Sequence, residues 1–258
     1  MQAVELAFEV FGEQHGGSPL LILHGFFASS RNWRSIARQL AAERPVYVLD
    51  MRNHGLSPHA EHMDYPAMAA DIALFMDRLG MAKAHFLGHS MGGKIAMWFA
   101  LHHPQRVEKL MVADIAPVSY VHSFDNTVNA LKDLPLQALG NRKQAEEWLE
   151  AAIPDLNYRQ FLLQNLLLEN GVYRWRVNLD FFHRNAHHIV AFPEPAILEP
   201  YCKPALFLSG EHSKYIQSDA VYRLFPRALI SEIPGTGHWL HVDAPERFCR
   251  DVGDWLSG

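Results

Sequence analysis

A serine between two glycines lies where a short apolar run gives way to a helical pattern. The pentapeptide GHSMG, residues 88–92, follows the run Ala84–Leu87 and precedes the helix-prone stretch Lys94–Ala100. A chain that turns sharply from strand to helix favours glycines beside the turn residue, because larger side chains would clash there. The hydroxyl of Ser90 is then exposed at the strand end, so we expect Ser90 to be a nucleophile.

A serine hydroxyl is inert until a base removes its proton, and His238 is the histidine best placed to do so. It lies in the segment GTGHW, residues 235–239, directly after the apolar run Leu229–Ile233. If the strands are parallel, the loop after this last strand opens at the same sheet edge as the loop of Ser90. His241, three residues further on, is the alternative base.

A third group, a carboxylate, is expected to orient the imidazole and to stabilise its protonated form. Asp114 directly follows the apolar run Leu110–Ala113, which is the next predicted strand after that of the nucleophile. Its side chain should therefore reach the same sheet edge. Glu211 and Asp219, which follow the run Ala205–Leu208, are the alternatives.

Short apolar runs alternate with helical patterns along most of the chain. This alternation is typical of an α/β fold, with a mostly parallel sheet that has helices on both faces. The strands are expected at Glu5–Val10, Leu20–Leu23, Val46–Leu49, Ala84–Leu87, Leu110–Ala113, Ala205–Leu208 and Leu229–Ile233, the first as an antiparallel edge. The helices between them are expected at Trp33–Ala42, Pro66–Leu79, Gly93–His102 and Pro245–Leu256.

The stretch from residue 118 to residue 200 interrupts this alternation. It contains helical patterns, such as Arg142–Ile153 and Tyr158–Leu168, but no convincing strand. A helical insertion of this kind is best interpreted as a cap over the carboxyl edge of the sheet. We therefore predict an α/β core of residues 1–117 and 201–258 and a helical cap of residues 118–200.

Composition narrows the class of protein. A chain of 258 residues with 49% hydrophobic content fits one α/β domain with a modest insertion. The net charge of −5 gives no basic face, which argues against a nucleic acid partner. No run approaches the roughly 18 apolar residues of a membrane span. Cys202 and Cys249 have no metal-type spacing, so we expect neither a metal site nor a disulfide. The first residues, MQAVEL, have no cationic region followed by an apolar core, so we expect a cytoplasmic protein.

Several motifs together resemble those of the α/β-hydrolase fold in its capped esterase branch. They are HGFF at 24–27, DMRNHGLS at 50–57, the GHSMG pentapeptide and the late GTGH at 235–238. Within them, MRNHG, GHSMGGK and ADIAP resemble the small bacterial YbfF-type esterases and their mitochondrial abhydrolase relatives. The resemblance implies hydrolysis of carboxyl esters, with acyl thioesters as a second class, and no cofactor.

The resemblance also bears on the acid and on the oxyanion hole. In the commoner pattern of the fold the acid stands three residues after a glycine, where this chain has Ser213, whereas Asp114 matches the aspartate of YbfF-type relatives. The oxyanion formed on attack needs two N–H donors. One is the backbone N–H of Met91, directly after the nucleophile, and the family pattern places the second at Phe26.

Aromatic residues in the loops and in the predicted cap are expected to bind the substrate. No cluster of lysine or arginine suggests an anionic clamp, so we expect an apolar acyl group of short to medium length. The candidate substrate-binding residues are Phe27, Tyr120, Phe124, Trp148 and Trp239.

The same three candidate residues are compatible with other functions. A C–C bond hydrolase or a cofactor-free perhydrolase would use the same triad. Dehalogenases and epoxide hydrolases of this architecture have an aspartate where this chain has Ser90, which argues against both. A ligand-binding protein without turnover is the alternative outside enzymes, and the oligomeric state stays open.

We expect a fluorophosphonate probe to form a covalent adduct with Ser90, because the probe reacts with a serine that an adjacent base has activated. Mass spectrometry of the digested protein identifies the labelled residue. Replacement of Ser90 with Ala should abolish the adduct and lower kcat by ~10⁴-fold or more. A label on any other residue would contradict the assignment.

Overall fold

The computed structural model describes residues 2–193 and 198–258, and its main element is a seven-stranded sheet. The strands of this sheet are β1 (Phe8–Phe11), β2 (Leu20–Leu23), β3 (Val46–Leu49), β4 (Ala84–His89), β5 (Val107–Ala113), β8 (Ala205–Gly210) and β9 (Ala228–Ile233). Their order across the sheet is β1-β3-β2-β4-β5-β8-β9. The edge strand β1 runs antiparallel to β3, and all other neighbours are parallel.

Helices cover both faces of this sheet. The α-helices of the described residues are α1 (Arg34–Leu40), α2 (Tyr65–Arg78), α3 (Met91–His102), α4 (Asp125–Lys132), α5 (Arg142–Leu149), α6 (Leu156–Leu163), α7 (Leu179–Val190), α8 (Ser218–Leu224), α9 (Leu240–Asp243) and α10 (Pro245–Ser257). Buried side chains of α2 and α3 pack on one face, and those of α1 and α10 pack on the other. The predicted α/β architecture with a mostly parallel sheet is therefore confirmed.

The first strand begins later than the sequence predicts. It was expected from Glu5, but it starts at Phe8. The backbone N–H of Val4 donates to the carboxylate of Asp71 at 2.7 Å, and that of Ala7 donates to the hydroxyl of Ser57 at 2.8 Å. These N–H groups bond to side chains, so they are not available for strand pairing.

The segment between β5 and β8 contains α4 to α7 and also a hairpin, so the expectation of no strand there is wrong. The predicted helix Tyr158–Leu168 ends at Leu163, and the chain continues into β6 (Leu166–Glu169) and β7 (Val172–Trp175). Asn170 and Gly171 between them have φ angles of 50° and 80°. Asn-Gly is the residue pair that best tolerates these angles in a two-residue hairpin turn.

Within residues 2–193 and 198–258, no helix combines the length and the apolar composition that a membrane span requires.

The close approach of β4 to α3 predicts how glycine substitutions affect stability. A Cβ atom on Gly88 would lie 2.2 Å from the carbonyl oxygen of Gly92, so the backbone must shift to accept it. We expect Gly88→Ala to lower the free energy of unfolding by about 1–3 kcal/mol or more, measured by urea denaturation.

The matched control is Gly253, in the interior of α10, where an added Cβ would meet no heavy atom within 4 Å. Gly253→Ala should be neutral or stabilising, by up to about 1 kcal/mol, because alanine has the higher helix propensity. Equal destabilisation by both substitutions would contradict the role given to Gly88.

Candidate active site

Ser90 occupies the sharp turn between β4 and α3. Its φ of 52° and ψ of −118° are a conformation that residues with a side chain rarely adopt. Directly after the turn, the start of α3 passes close to β2. A Cβ on Gly92 would lie 2.1 Å from the carbonyl oxygen of Leu23 in β2. Glycine is therefore required at residue 92, and the side chain of Ser90 is left at the end of the strand.

The structure brings Ser90, His238 and Asp114 together, as the sequence predicts. In His238, Nε2 lies 3.1 Å from Oγ of Ser90, and Nδ1 lies 2.7 Å from Oδ2 of Asp114. An ionised carboxylate only accepts hydrogen bonds, so Nδ1 carries the proton and Nε2 is free to accept the serine proton. In this arrangement the imidazole can act as a general base toward Ser90.

The carboxylate of Asp114 is completely buried and is held by three donors. The N–H of Gly210 donates to Oδ1 at 3.1 Å, and the hydroxyl of Ser213 donates to Oδ2 at 2.5 Å, beside Nδ1 of His238. A buried charge needs such compensation. Ser213 thus supports the acid from the place where the commoner pattern has the acid itself, a role that the sequence did not reveal.

The alternative acids, Glu211 and Asp219, and the alternative base, His241, lie in different environments. Glu211 and Asp219 are exposed, and the carboxylate of Glu211 accepts the N–H of Gly235 at 2.6 Å. The ring of His241 stacks on that of Trp33, with a centroid distance of 4.2 Å and an interplanar angle of 9°. Burial lowers the pKa of His241 to about 3. Its ring is therefore neutral, and the imidazole within hydrogen-bond distance of Ser90 is that of His238.

The loop after β2 carries the expected oxyanion donor Phe26. Among the described residues, the N–H groups of Phe26 and Met91 have no hydrogen-bond acceptor, so both are free to bind a ligand. The next residue, Phe27, has a φ of 63°. Its N–H donates to Nε2 of His54 at 3.2 Å, and its carbonyl accepts Nδ2 of Asn165 at 2.7 Å. The loop is thus held by His54, which follows β3, and by Asn165, which precedes β6.

A second histidine stabilises the same loop. Nδ1 of His24 donates to the carbonyl of Gly25 at 2.8 Å, and its Nε2 accepts the N–H of Met51 at 3.0 Å. Burial lowers the pKa of both His24 and His54. These rings are neutral, and they connect the loop after β2 to the loop after β3.

A cavity of about 840 Å³ opens beside Ser90. Its walls come from the core and from the segment between β5 and β8, and they include most of the aromatic residues that the sequence singled out. These aromatic residues are Phe26, Phe27, Tyr120, Phe124 and Trp239. Met91 also lines the cavity, as do Tyr158, Ile189 and Lys94, which the sequence did not single out. In the part of the chain that the structure describes, no group of three His, Cys, Asp or Glu side chains is placed to hold a metal ion.

The structure places Trp148 outside this cavity, unlike the other four residues that the sequence predicts to bind the substrate. It lies on α5 and is 55% exposed. The buried face of this helix is formed by Ala145 and Leu149, four residues apart. Trp148 lies to the side of that face and projects into solvent.

Lys94 is a buried lysine one helical turn after Ser90. Its Nζ donates to the carbonyls of Val190 and Ala191 at 2.8 and 2.7 Å and lies 4.7 Å from the ring centroid of Tyr120. Burial lowers the pKa of Lys94 to about 7. These contacts attach α3 to the end of α7.

Comparison with known proteins gives the same picture of the fold. Residues 18–245 match the family model described as alpha/beta hydrolase fold. The chain is 35% identical to Esterase YbfF of Escherichia coli, over 95% of each chain. It is 40% identical to the sn-1-specific diacylglycerol lipase ABHD11 of Xenopus tropicalis, over 99% of this chain and 83% of that protein.

A solved structure agrees closely. A marine microorganism esterase superposes with a TM-score of 0.93 at 40% identity, over 98% of this chain and 100% of that one. The chain therefore belongs to the α/β-hydrolase fold family, among the carboxylic ester hydrolases of that fold.

Proposed function

We propose that this protein hydrolyses carboxyl esters through an acyl-enzyme on Ser90. The observation that carries the proposal is the continuous hydrogen-bonded series from Asp114 through His238 to Ser90, which ends beside the cavity. A nucleophile, a base and an orienting acid in this order are the parts that acyl transfer requires.

In the first half of the reaction, Oγ of Ser90 attacks the carbonyl carbon of the ester while Nε2 of His238 takes the hydroxyl proton. The negative charge on the former carbonyl oxygen is stabilised by the N–H groups of Phe26 and Met91, worth about 3 kcal/mol each. Asp114 stabilises the imidazolium. The intermediate then collapses, the C–O bond to the alcohol breaks, and the alcohol leaves with the proton from Nε2.

In the second half, water replaces the alcohol. Nε2 of His238 takes a proton from the water as its oxygen attacks the acyl carbon, and the same two N–H groups bind the oxyanion. The bond to Oγ of Ser90 breaks, and the serine recovers its proton from Nε2. The products are a carboxylic acid and the free enzyme, with no cofactor consumed.

The substrate we propose is a small ester with an apolar acyl group of short to medium length. The cavity walls that support this choice are mainly aromatic and aliphatic: Phe26, Phe27, Tyr120, Phe124, Tyr158, Ile189 and Trp239. The printed names of similar proteins, an esterase and a diacylglycerol lipase, also describe hydrolysis of carboxyl esters. Acyl thioesters are the second class that the same chemistry would accept.

The proposed location is the cytoplasm. Both cysteines, Cys202 and Cys249, are free thiols, which fits a reducing compartment.

Turnover of p-nitrophenyl acetate and butyrate tests the proposed function. We expect release of p-nitrophenol at both chain lengths and a loss of ~10⁴-fold or more in kcat for Ser90→Ala. Binding of these esters without turnover would instead indicate a ligand-binding protein. Release that is unchanged in Ser90→Ala would contradict the proposed nucleophile.

The role of the acid is tested with Asp114→Asn, which keeps the shape of the side chain but can no longer stabilise the imidazolium. We expect kcat to fall by ~10³ to 10⁴-fold with little change in KM. Glu211→Gln and Asp219→Asn are the matched controls and should each cost less than about tenfold. Near-normal activity of Asp114→Asn would overturn the assignment.

A further inference from the structure

His89, the residue before the nucleophile, has a contact that the mechanism above does not use. It is the last residue of β4, and its side chain is buried. Nε2 of its ring lies 2.8 Å from the main-chain carbonyl oxygen of His238. A carbonyl oxygen only accepts hydrogen bonds, so Nε2 carries a proton and donates it. Burial lowers the pKa of His89, which leaves the ring neutral with a bare Nδ1.

The same ring also lies close to Gly25, in the loop that precedes the oxyanion donor. A Cβ on Gly25 would lie 3.1 Å from Nδ1 of His89 and 3.4 Å from Cβ of Ser90. The ring also packs against the rings of His238 and His241, with centroid distances of 4.8 and 4.6 Å. His89 therefore fills the space between the nucleophile turn, the loop before Phe26 and the loop of the base.

Several hydrogen bonds hold the main chain around His238. Neighbouring residues of its loop are held by other groups, since the N–H of Gly237 donates to Asp243 at 2.9 Å and the N–H of His212 donates to the carbonyl of Thr236 at 2.9 Å. In the described ranges, the hydrogen bond from His89 is the one made by the main chain of His238 itself.

We propose that His89 is a positioning residue whose Nε2–H, donated to the carbonyl of His238, holds the imidazole of His238 within reach of Ser90. The catalytic meaning of this inference rests on the proposed ester hydrolysis. The separation of 3.1 Å between Nε2 of His238 and Oγ of Ser90 leaves little room for displacement. A misplacement of about 1 Å costs ~100-fold in rate.

Two substitutions separate hydrogen bonding from packing. His89→Gln keeps an N–H donor near the position of Nε2, whereas His89→Phe fills the space of the ring without a donor. We expect kcat/KM for p-nitrophenyl butyrate to fall by ~30 to 100-fold in His89→Phe, mainly through kcat, and by less than about fivefold in His89→Gln. If His89 served only to fill space, His89→Phe would retain a higher kcat/KM than His89→Gln, and that result would overturn the proposal.

His85 provides the matched control, because it is a buried histidine of the same strand and lies away from the cavity. His85→Phe and His85→Gln should not reproduce the order of activities expected at His89. The same order at both positions would indicate a general effect of altering β4 and would overturn the proposal.

Two measurements do not depend on turnover, and the first of them needs no substituted protein. Long-range ¹H–¹⁵N NMR spectra of the unmodified protein should show His89 with its proton on Nε2, and a proton on Nδ1 would overturn the inference. Amide hydrogen exchange of residues 236–242 should be faster in His89→Phe than in His89→Gln. If the unmodified protein hydrolyses no ester, the proposed function fails, while these two measurements still decide whether His89 holds the loop.

Discussion

The site depends on the parallel register between the central strands. His89 of β4 pairs with Ala113 of β5, so the next residues of the two strands, Ser90 and Asp114, leave the sheet side by side. The N–H of Ser90 donates to the carbonyl of Ala113 at 3.1 Å, and the N–H of Asp114 donates to Leu208 in β8 at 2.8 Å. Both residues have φ angles near 50°, which turn their side chains out of the sheet and toward the base.

This register explains why the acid can stand on β5. Asp114 reaches His238 from the strand next to that of the nucleophile, and Ser213, after β8, donates to its buried carboxylate. A carboxylate at residue 213 would put a second negative charge beside Asp114, in a buried place where like charges repel strongly. A hydroxyl there contributes a donor without adding a charge, so the two positions are complementary.

Sequence reasoning located the seven strands of the main sheet, because these depend on local patterns such as the apolar runs of β2 and β3. The bounds of β1, β4 and β5 differ from the predicted ones by two to three residues. Sequence reasoning did not predict the features that depend on which face of a helix is buried, or on contacts between segments that are distant in the chain. The residue type alone predicts that Trp148 binds the substrate, but it does not show that the side chain projects into solvent. The partners of Ser213 and His89 lie 99 and 149 residues away in the chain, so no local signal marks them. The Asn-Gly pair at 170–171 was a local signal for the hairpin, but the helical pattern before it was extended too far.

A crystal structure of the protein with a phosphonate bound covalently to Ser90 tests the central claim most directly. The account predicts the phosphonyl oxygen between the N–H groups of Phe26 and Met91, with Nδ1 of His238 on the carboxylate of Asp114. An adduct whose oxygen points away from both N–H groups, or a His238 ring bound to a different carboxylate, would contradict it.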